Sequence, residues 1–200
     1  MNKSALLQKL KYHNFPQKIL DAFAQVRRED FIPDRLAPYA YEDLALPLAD
    51  GSTISQPYTI AFMLNLLSLE EGQKILEIGS GSGYALALIS AIIKKGKIYG
   101  IEINKTLAIS SKKLLANYPN ISIFNKSGFV GLTELAPFDR ILISASFKDM
   151  RIPYNLLDQL AENGIMIAPV KSSIFKLTKK ENKIEKEEFP GFSFVPFKEE

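Results

Sequence analysis

Residues 74–84, Lys-Ile-Leu-Glu-Ile-Gly-Ser-Gly-Ser-Gly-Tyr, decide the fold of this chain. Residues 74–78 form a short, apolar, β-branched run, which is typical of a buried strand. Three alternating glycines follow, and they lack the Cβ that would block a close ligand or a positive φ. An apolar run of helical length resumes at 84–93. The stretch therefore predicts a strand, a tight glycine turn and a helix, whose N-terminal N–H groups suit a carboxylate or a phosphate.

The glycine spacing bears on which cofactor this turn would bind. The dinucleotide fingerprint is G-x-G-x-x-G, whereas here the pattern is G-x-G-x-G and Tyr84 stands where the third glycine would be expected. The next apolar strand, 97–103, contains Glu102 about 20 residues beyond the first glycine, where an acid reaches ribose hydroxyls. An acid there suits NAD and S-adenosylmethionine alike. The spacing favours S-adenosylmethionine, and an NAD-dependent oxidoreductase remains the alternative from a different class.

Strands and helices alternate from the glycine turn onward. The pattern predicts strands at 74–78, 97–103, 121–124, 139–144 and 165–170, and helices at 84–93, 105–117 and 153–161. Such alternation predicts an α/β fold with a doubly wound, mostly parallel sheet and ligands at the carboxyl ends of its strands. Beyond the last of these strands, 173–178 and 183–188 predict a C-terminal β-hairpin extension, and 192–197 is a further strand candidate.

The N-terminal part of the chain predicts a helical and loop cover. Helices are expected at 2–10, 17–25 and 59–67. The intervening stretch 27–57 is dense in proline and aromatic residues without a clear period, so it is either disordered or a functional loop, and its apolar content favours a packed cover. We expect one domain over 1–200, with a cover at 1–58, a cofactor-binding core at 59–170 and a β extension at 171–200.

Composition excludes several classes of site. The chain has no cysteine and a single histidine, His13, so a thiolate metal site, a histidine metal cluster and a Ser-His-Asp triad are all disfavoured. His13 is interpreted as a loop or packing residue. A net charge of +3 with separated lysines argues against a nucleic-acid partner. No signal peptide and no membrane-spanning stretch is recognisable, so we expect a soluble cytoplasmic protein.

Six blocks of the chain, taken in order, resemble protein-L-isoaspartate O-methyltransferases. They are 26–33 (Val-Arg-Arg-Glu-Asp-Phe-Ile-Pro), 40–47 (Ala-Tyr-Glu-Asp-Leu-Ala-Leu-Pro), 51–58 (Gly-Ser-Thr-Ile-Ser-Gln-Pro-Tyr), 76–84, 136–139 (Ala-Pro-Phe-Asp) and 194–196 (Phe-Val-Pro). The glycine block alone fits any class I methyltransferase, whereas Thr-Ile-Ser-Gln-Pro is more restricted. The resemblance implies a Rossmann-like enzyme that uses S-adenosylmethionine to methylate L-isoaspartyl carboxylates in damaged peptides and proteins, and we expect a monomer without a metal.

The reaction that this resemblance implies sets what the site must do. A carboxylate is already anionic at neutral pH, so the protein must supply alignment and water exclusion rather than a strong base. The resemblance places the catalytic serine at Ser55, which alternatively caps the following helix. We expect substrate binding by Ile54, Tyr58 and Val195, and packing is the alternative role for both Tyr58 and Thr53. We expect cofactor binding by Thr53, Glu77, Gly79, Ser80, Gly81, Ser82, Gly83, Glu102, Ile103, Ser127 and Gly128.

The chain departs from the family pattern around this site. Where the family has Gly-Asp-Gly, with an acid expected to hold the adenine amino group, this chain has residues 126–128, Lys-Ser-Gly. The Ala-Ala-Pro loop becomes a longer and more charged segment, 144–153, and Lys171 replaces a glycine. Loss of a charge-assisted contact costs on the order of 1–3 kcal/mol if nothing replaces it. The alternative hypothesis is therefore a cofactor-binding member that is non-catalytic or retargeted.

Overall fold

The computed structural model of the protein describes residues 1–181 and 183–198. Its helices are α1 (Lys3–Tyr12), α2 (Gln17–Gln25), α3 (Pro57–Leu67), α4 (Tyr84–Ile93), α5 (Lys105–Leu114) and α6 (Tyr154–Asp158). Its strands are β1 (Leu46–Pro47), β2 (Thr53–Ile54), β3 (Lys74–Ile78), β4 (Lys97–Glu102), β5 (Ile121–Asn125), β6 (Phe138–Ile143), β7 (Leu160–Val170), β8 (Ser173–Lys180) and β9 (Lys183–Pro190). The predicted strand, glycine turn and helix at 74–93 are confirmed.

A seven-stranded sheet in the order β5-β4-β3-β6-β7-β8-β9 organises the molecule. The five strands from β5 to β7 run parallel, and β8 and β9 add an antiparallel hairpin to one edge. The strand order reverses direction at β3, because β4 lies on one side of it and β6 on the other. Ligands of open α/β sheets bind at the carboxyl ends of the strands near such a switch point. The fold class and the C-terminal hairpin are both as expected from the sequence.

Alternate residues of the central strands face two separate hydrophobic clusters. Ile75 packs with α2, α3 and α4 on one face, whereas its neighbour Leu76 packs on the opposite face with residues of β6, β7 and α6. This alternation follows from the two-residue period of a strand. The α2 helix lies against α4 and adds an outer layer on the first face. Both faces of the parallel strands are thereby covered, which explains their nearly continuous apolar sequences.

The long stretch between α2 and α3 is an ordered cover. It contains two 3-10 helices, Arg28–Phe31 and Asp34–Tyr39, and the short antiparallel pair β1 and β2. Two of its residues, Phe31 and Ile32, are buried in the hydrophobic core. The packed cover predicted from the apolar content of this stretch is therefore confirmed. His13 ends α1 and its ring lies 4.7 Å from that of Tyr58, so it has the packing role predicted for it.

The end of one predicted helix is wrong, and one strand candidate does not form a strand. The helix expected at 153–161 ends at Asp158, because Leu160 already pairs with Phe138 as the start of β7. The register then shifts before Ile165, where Asn163 adopts a positive φ of 60°. Residues 192–197, expected as a strand, form no strand: only Pro196 makes an isolated bridge, to Ser146. The segment packs against the body of the protein through aromatic contacts and does not form the hydrogen-bond ladder of a strand.

Candidate active site

The glycine turn after β3 is stabilised by its own backbone. Gly79, Gly81 and Gly83 all have positive φ, at 80°, 54° and 86°. The N–H groups of Gly79 and Ser80 donate to the carbonyl of Ile101, at 2.8 and 3.0 Å. A Cβ on Gly83 would lie 2.6 Å from Leu115, so this third glycine is needed for the close approach of the α5 end. The turn is therefore held in shape before any ligand arrives.

Glu102 joins the end of β4 to this turn. Its Oε2 accepts a hydrogen bond from the N–H of Gly81 at 2.7 Å, and its Oε1 accepts one from the N–H of Asn104 at 2.8 Å. The residue is only 5% exposed, yet it lines the cleft beside the turn. Each carboxylate oxygen has two lone pairs, so both oxygens can accept a further hydrogen bond from a ligand hydroxyl. Glu102 can therefore hold the turn and a ribose at once.

A cleft of about 230 Å³ lies where β3, β4 and β6 end. We call it the cofactor cleft. Seven of the residues predicted for the site line it: Thr53, Gly79, Gly81, Glu102, Ile103, Gly128 and Val195. The structure adds the loop before β2, residues 144–145 after β6, and the tail segment 196–198. The side chain of Lys198 donates to the carbonyl of Asp50 at 3.4 Å, which joins the tail to the loop before β2.

A buried acid lies at the inner end of the site. Glu77 is 2% exposed, and its Oε1 accepts a hydrogen bond from the hydroxyl of Ser144 at 2.7 Å. Its Oε2 is buried and has no partner among the described residues. Burial raises the pKa of Glu77 to about 8, with the nearby Glu102 carboxylate acting in the same direction and the Ser144 hydrogen bond opposing it. A buried acceptor left open in this way fits a ligand donor.

An uncharged groove of about 740 Å³ lies on the other side of Thr53 and Ser144. We call it the substrate groove. Ser55, Gln56 and Tyr58 form one wall, and residues 190–195 form the other. No charged residue is found among the described residues that line it. Thr53 and Ser144 line both the groove and the cofactor cleft, so the two spaces meet at these residues.

Ser55 lines the substrate groove together with Thr53 and Ser144, and its hydroxyl is available. Gln56, not Ser55, is the N-cap of α3, and the N–H of Tyr58 donates to Asp43 at 2.9 Å. Ser55 therefore does not cap the helix, which was the alternative to a site role. Within the part of the chain that the structure describes, its hydroxyl makes no hydrogen bond. It also lines a narrow inner cavity together with Glu77, Ser80, Ser82 and Ile54.

The backbone of Ser55 is held by a buried arginine. Arg28 is fully buried and its guanidinium donates to the carbonyls of Ala40, Glu42, Leu44 and Ser55, at 2.7 to 3.3 Å. Burial lowers the pKa of Arg28 to about 10, partly opposed by Tyr84 and Asp43, so the group stays charged at neutral pH. One side chain thus fixes the loop that presents Ser55. The carbonyls that Arg28 binds are distant from it in sequence. The resemblance of the block 26–33 to the family was therefore the only sign of this role.

Three predicted residues are placed differently from the rest. Ile54 is 4% exposed and packs in the core, so its side chain does not reach the substrate groove. The hydroxyl of Ser80 lies toward Gly100 on β4, where it would be 3.0 Å from an added Cβ. Ser127 does not line the cofactor cleft, although Gly128 does, and its hydroxyl accepts from the N–H of Phe129 at 3.3 Å.

The segment 144–153 was expected near the site, but Ser144 and Phe197 were not predicted as site residues. Ser144 directly follows β6, and the carboxyl end of a strand next to β3 was a usable signal for it. Phe197 lines the cofactor cleft from a tail segment that had no periodic pattern. Among residues 1–181 and 183–198 there is no group of three or more His, Cys, Asp or Glu residues that could hold a metal ion. In the same residues, every helix is too short or too polar to cross a membrane.

Comparison with known proteins identifies a consistent set of similar proteins. The family model of protein-L-isoaspartate(D-aspartate) O-methyltransferase (PCMT) matches residues 1–200. A Methanothrix thermoacetophila protein-L-isoaspartate O-methyltransferase is 38% identical over 202 aligned positions, covering 98% of this chain and 94% of the relative. A Petrotoga mobilis protein of the same name is 42% identical over 188 positions, covering 90% and 86%. Both matches extend across nearly the whole length of each chain.

A solved structure agrees with these sequence matches. A Plasmodium falciparum structure assigned to protein-L-isoaspartate O-methyltransferase, in complex with S-adenosyl-L-homocysteine, superimposes with a TM-score of 0.87. The two sequences are 27% identical, and the match covers 100% of both chains. The N-terminal cover and the C-terminal hairpin are thus part of the shared architecture.

Proposed function

This chain belongs to the protein-L-isoaspartate(D-aspartate) O-methyltransferase family, and on that premise we propose that the cofactor cleft and the substrate groove are the two halves of its active site. The enzyme uses S-adenosylmethionine to methylate the carboxylate of L-isoaspartyl residues. The family match and the relatives favour this activity over a non-catalytic or retargeted protein. They also leave no reason to keep an NAD-dependent oxidoreductase as the alternative. The observation that carries the assignment of the site is that Ser55 lines both the substrate groove and the narrow inner cavity beside Glu77 and the glycine turn.

The residues of the cofactor cleft fit S-adenosylmethionine. Glu102 offers open lone pairs to ribose hydroxyls, and the positive-φ glycines leave the backbone free of side chains there. The unpartnered Oε2 of Glu77 offers an acceptor to a cationic part of the ligand, whose positive charge favours the ionised form of the carboxyl group. Thr53, Ile103 and Gly128 complete the contact surface. When bound, the cofactor supplies an electrophilic methyl group on a sulfonium.

Ser55 orients the nucleophile in this proposal. Its hydroxyl donates to one oxygen of the substrate carboxylate and leaves the other oxygen free to attack the methyl carbon. The new bond is an oxygen–carbon bond, and the carbon–sulfur bond of the sulfonium breaks with its electron pair staying on sulfur. No proton transfer is required, because the carboxylate enters as an anion. The main contribution of the protein is alignment in a site that excludes water.

The substrate groove fits a peptide with an anionic side chain. It is uncharged, so it does not repel the carboxylate, and it provides Tyr58 and the segment around Val195 as walls. The carbonyl of Val195 already accepts from the N–H of Ser146 at 2.8 Å, which fixes that wall. The buried side chain of Ile54 supports the loop from below. We propose further that the enzyme acts as a cytoplasmic monomer without a nucleic-acid or membrane partner. Light scattering on the purified protein tests the monomeric state.

A serine replacement tests the proposed role of Ser55. For Ser55→Ala we expect methyl transfer to an isoaspartyl peptide to fall by about 100-fold, because a donor aligned in the transition state is removed. Binding of S-adenosylhomocysteine should stay the same within error. Ser122→Ala, on the exposed side of β5, is the matched control and should retain full activity. An unchanged rate in Ser55→Ala, or a rate loss explained entirely by lost cofactor binding, would refute the assignment.

A further inference from the structure

Two aromatic rings stand beside the cofactor cleft. Phe147 and Phe197 stack with their centroids 4.6 Å apart and their planes inclined at 24°. Phe147 is buried, whereas Phe197 is half-buried and lines the cofactor cleft. Both rings also line a neighbouring cleft formed with Phe129, Lys148, Asp149 and Arg151. Since Phe147 covers one face of Phe197, the opposite face and the edge of the Phe197 ring are the parts left to contact a ligand. We call this pair the aromatic wall.

The backbone holds both members of the aromatic wall in place. The N–H of Phe197 donates to the carbonyl of Ser146 at 2.8 Å, and the N–H of Ser146 donates to the carbonyl of Val195 at 2.8 Å. The N–H of Phe147 donates to the carbonyl of Pro169 at 3.0 Å, which attaches it to the end of β7. The wall therefore needs little ordering when a ligand binds, and such preorganisation improves affinity.

Phe197, the member of the wall that lines the cofactor cleft, lies on the Gly128 side of that cleft. A Cβ on Gly128 would come within 3.6 Å of Cζ of Phe197, so Gly128 and the ring edge lie next to each other. Glu102 and Ile103 line the same cleft at the end of β4. A base attached to a ribose held by Glu102 would thus lie among Ile103, Gly128 and Phe197. These groups are apolar or without a side chain, which suits the flat face of a purine.

We propose that Phe197, backed by Phe147, binds the adenine ring of the cofactor by stacking, and that this contact replaces the carboxylate missing at position 127. The inference rests on the cofactor placement proposed above. The proposed contact relates two departures from the family pattern to each other. Residues 126–128 lack the acid, and the altered segment 144–153 supplies Phe147. Stacking requires only the π-face of a base, so it needs no charged partner for the amino group.

Binding measurements on the free enzyme separate this proposal from a structural role. The ligands are S-adenosylhomocysteine and S-ribosylhomocysteine, which lacks the base, and the dissociation constants come from titration calorimetry. For Phe197→Leu, which keeps apolar bulk against Phe147, we expect S-adenosylhomocysteine to bind about 5- to 100-fold more weakly. Phe197→Tyr should bind as the wild type does. The affinity for S-ribosylhomocysteine should be the same in all three proteins.

A matched control uses a neighbouring phenylalanine. Phe129 is 42% exposed and lines the adjacent cleft but not the cofactor cleft, so Phe129→Leu should bind both ligands as the wild type does. Unchanged binding of S-adenosylhomocysteine by Phe197→Leu would overturn the proposal, as would an equal loss of affinity for both ligands. Failure of the wild type itself to bind S-adenosylhomocysteine would refute the cofactor placement, and with it this inference.

Discussion

The Nη2 atom of Arg28 lies 3.1 Å from the carbonyl oxygen of Ser55, although 27 residues separate them in the chain. This contact connects the sequence block 26–33 to the block 51–58. Both blocks belong to the cover above the parallel sheet, and the hydrogen bond fixes one against the other. The position of the proposed catalytic hydroxyl therefore depends on an arginine that lies outside the cleft and the groove.

Replacement of Arg28 should be costly to the fold. Arg28→Met leaves four backbone carbonyls without their buried donors, so we expect the free energy of unfolding to fall by about 3–5 kcal/mol. Arg27→Met is the matched control, because the side chain of Arg27 is 64% exposed and forms ion pairs with Glu29 and Asp30. Urea denaturation of both variants provides the measurement. Equal stability losses in the two variants would contradict the role given to Arg28.

The stability of the ligand-free enzyme should depend on Glu77 at mildly acidic to neutral pH. Burial raises the pKa of Glu77 from 4.5 to about 8, so the folded state binds this proton more tightly than the unfolded chain. The contribution is complete below pH 4.5 and is lost as the pH rises toward 8. Its slope is at most about 1.4 kcal/mol per pH unit.

Glu77→Gln tests this linkage, since glutamine does not titrate. Urea denaturation at several values between pH 5 and 8 should show stability falling with pH in the wild type more steeply than in the variant. Parallel pH profiles for the two proteins would show that Glu77 does not titrate in this range.

An acid placed at position 127, where the family pattern has one, should change how the adenine base of the cofactor is recognised. In Ser127→Asp we expect S-adenosylhomocysteine to bind about 5- to 50-fold more tightly, because a carboxylate on the residue next to Gly128, which lines the cofactor cleft, can accept from the adenine amino group. S-inosylhomocysteine, which lacks that amino group, should gain nothing. Ser110→Asp, which adds the same charge on the exposed side of α5, controls for net charge. A similar gain for both ligands, or in both variants, would count against a specific contact.

The sequence predicted the parts of the fold that depend on local patterns. The β3 strand, the glycine turn and α4 were predicted with the correct bounds, because apolar periodicity and glycine conformational freedom act over a few residues. The end of α6 was wrong, since the pairing of Leu160 with Phe138 overrides its local helical pattern. Residues 192–197 were wrong for a similar reason: their rings pack on Phe62 and Phe147 rather than forming a ladder.

The site was predictable to the extent that motifs mark it. The predicted residues around the glycine turn and Thr53 to Tyr58 do come together, because parallel strands bring their carboxyl ends to one edge of the sheet. The hydrogen bond between Ser144 and Glu77, the four contacts of Arg28 and the stacking of Phe197 were not predictable. Each joins segments that are distant in the chain, and no local pattern encodes such a pairing.

The most direct test of the account is methyl transfer from labelled S-adenosylmethionine to matched isoaspartyl and aspartyl peptides of the same sequence. We expect rapid labelling of the isoaspartyl peptide and at most background labelling of the aspartyl peptide. Ser55→Ala should label the isoaspartyl peptide about 100-fold more slowly while still binding S-adenosylhomocysteine. Cofactor binding without labelling of the isoaspartyl peptide, or equal labelling of both peptides, would refute methylation of isoaspartyl residues by this enzyme.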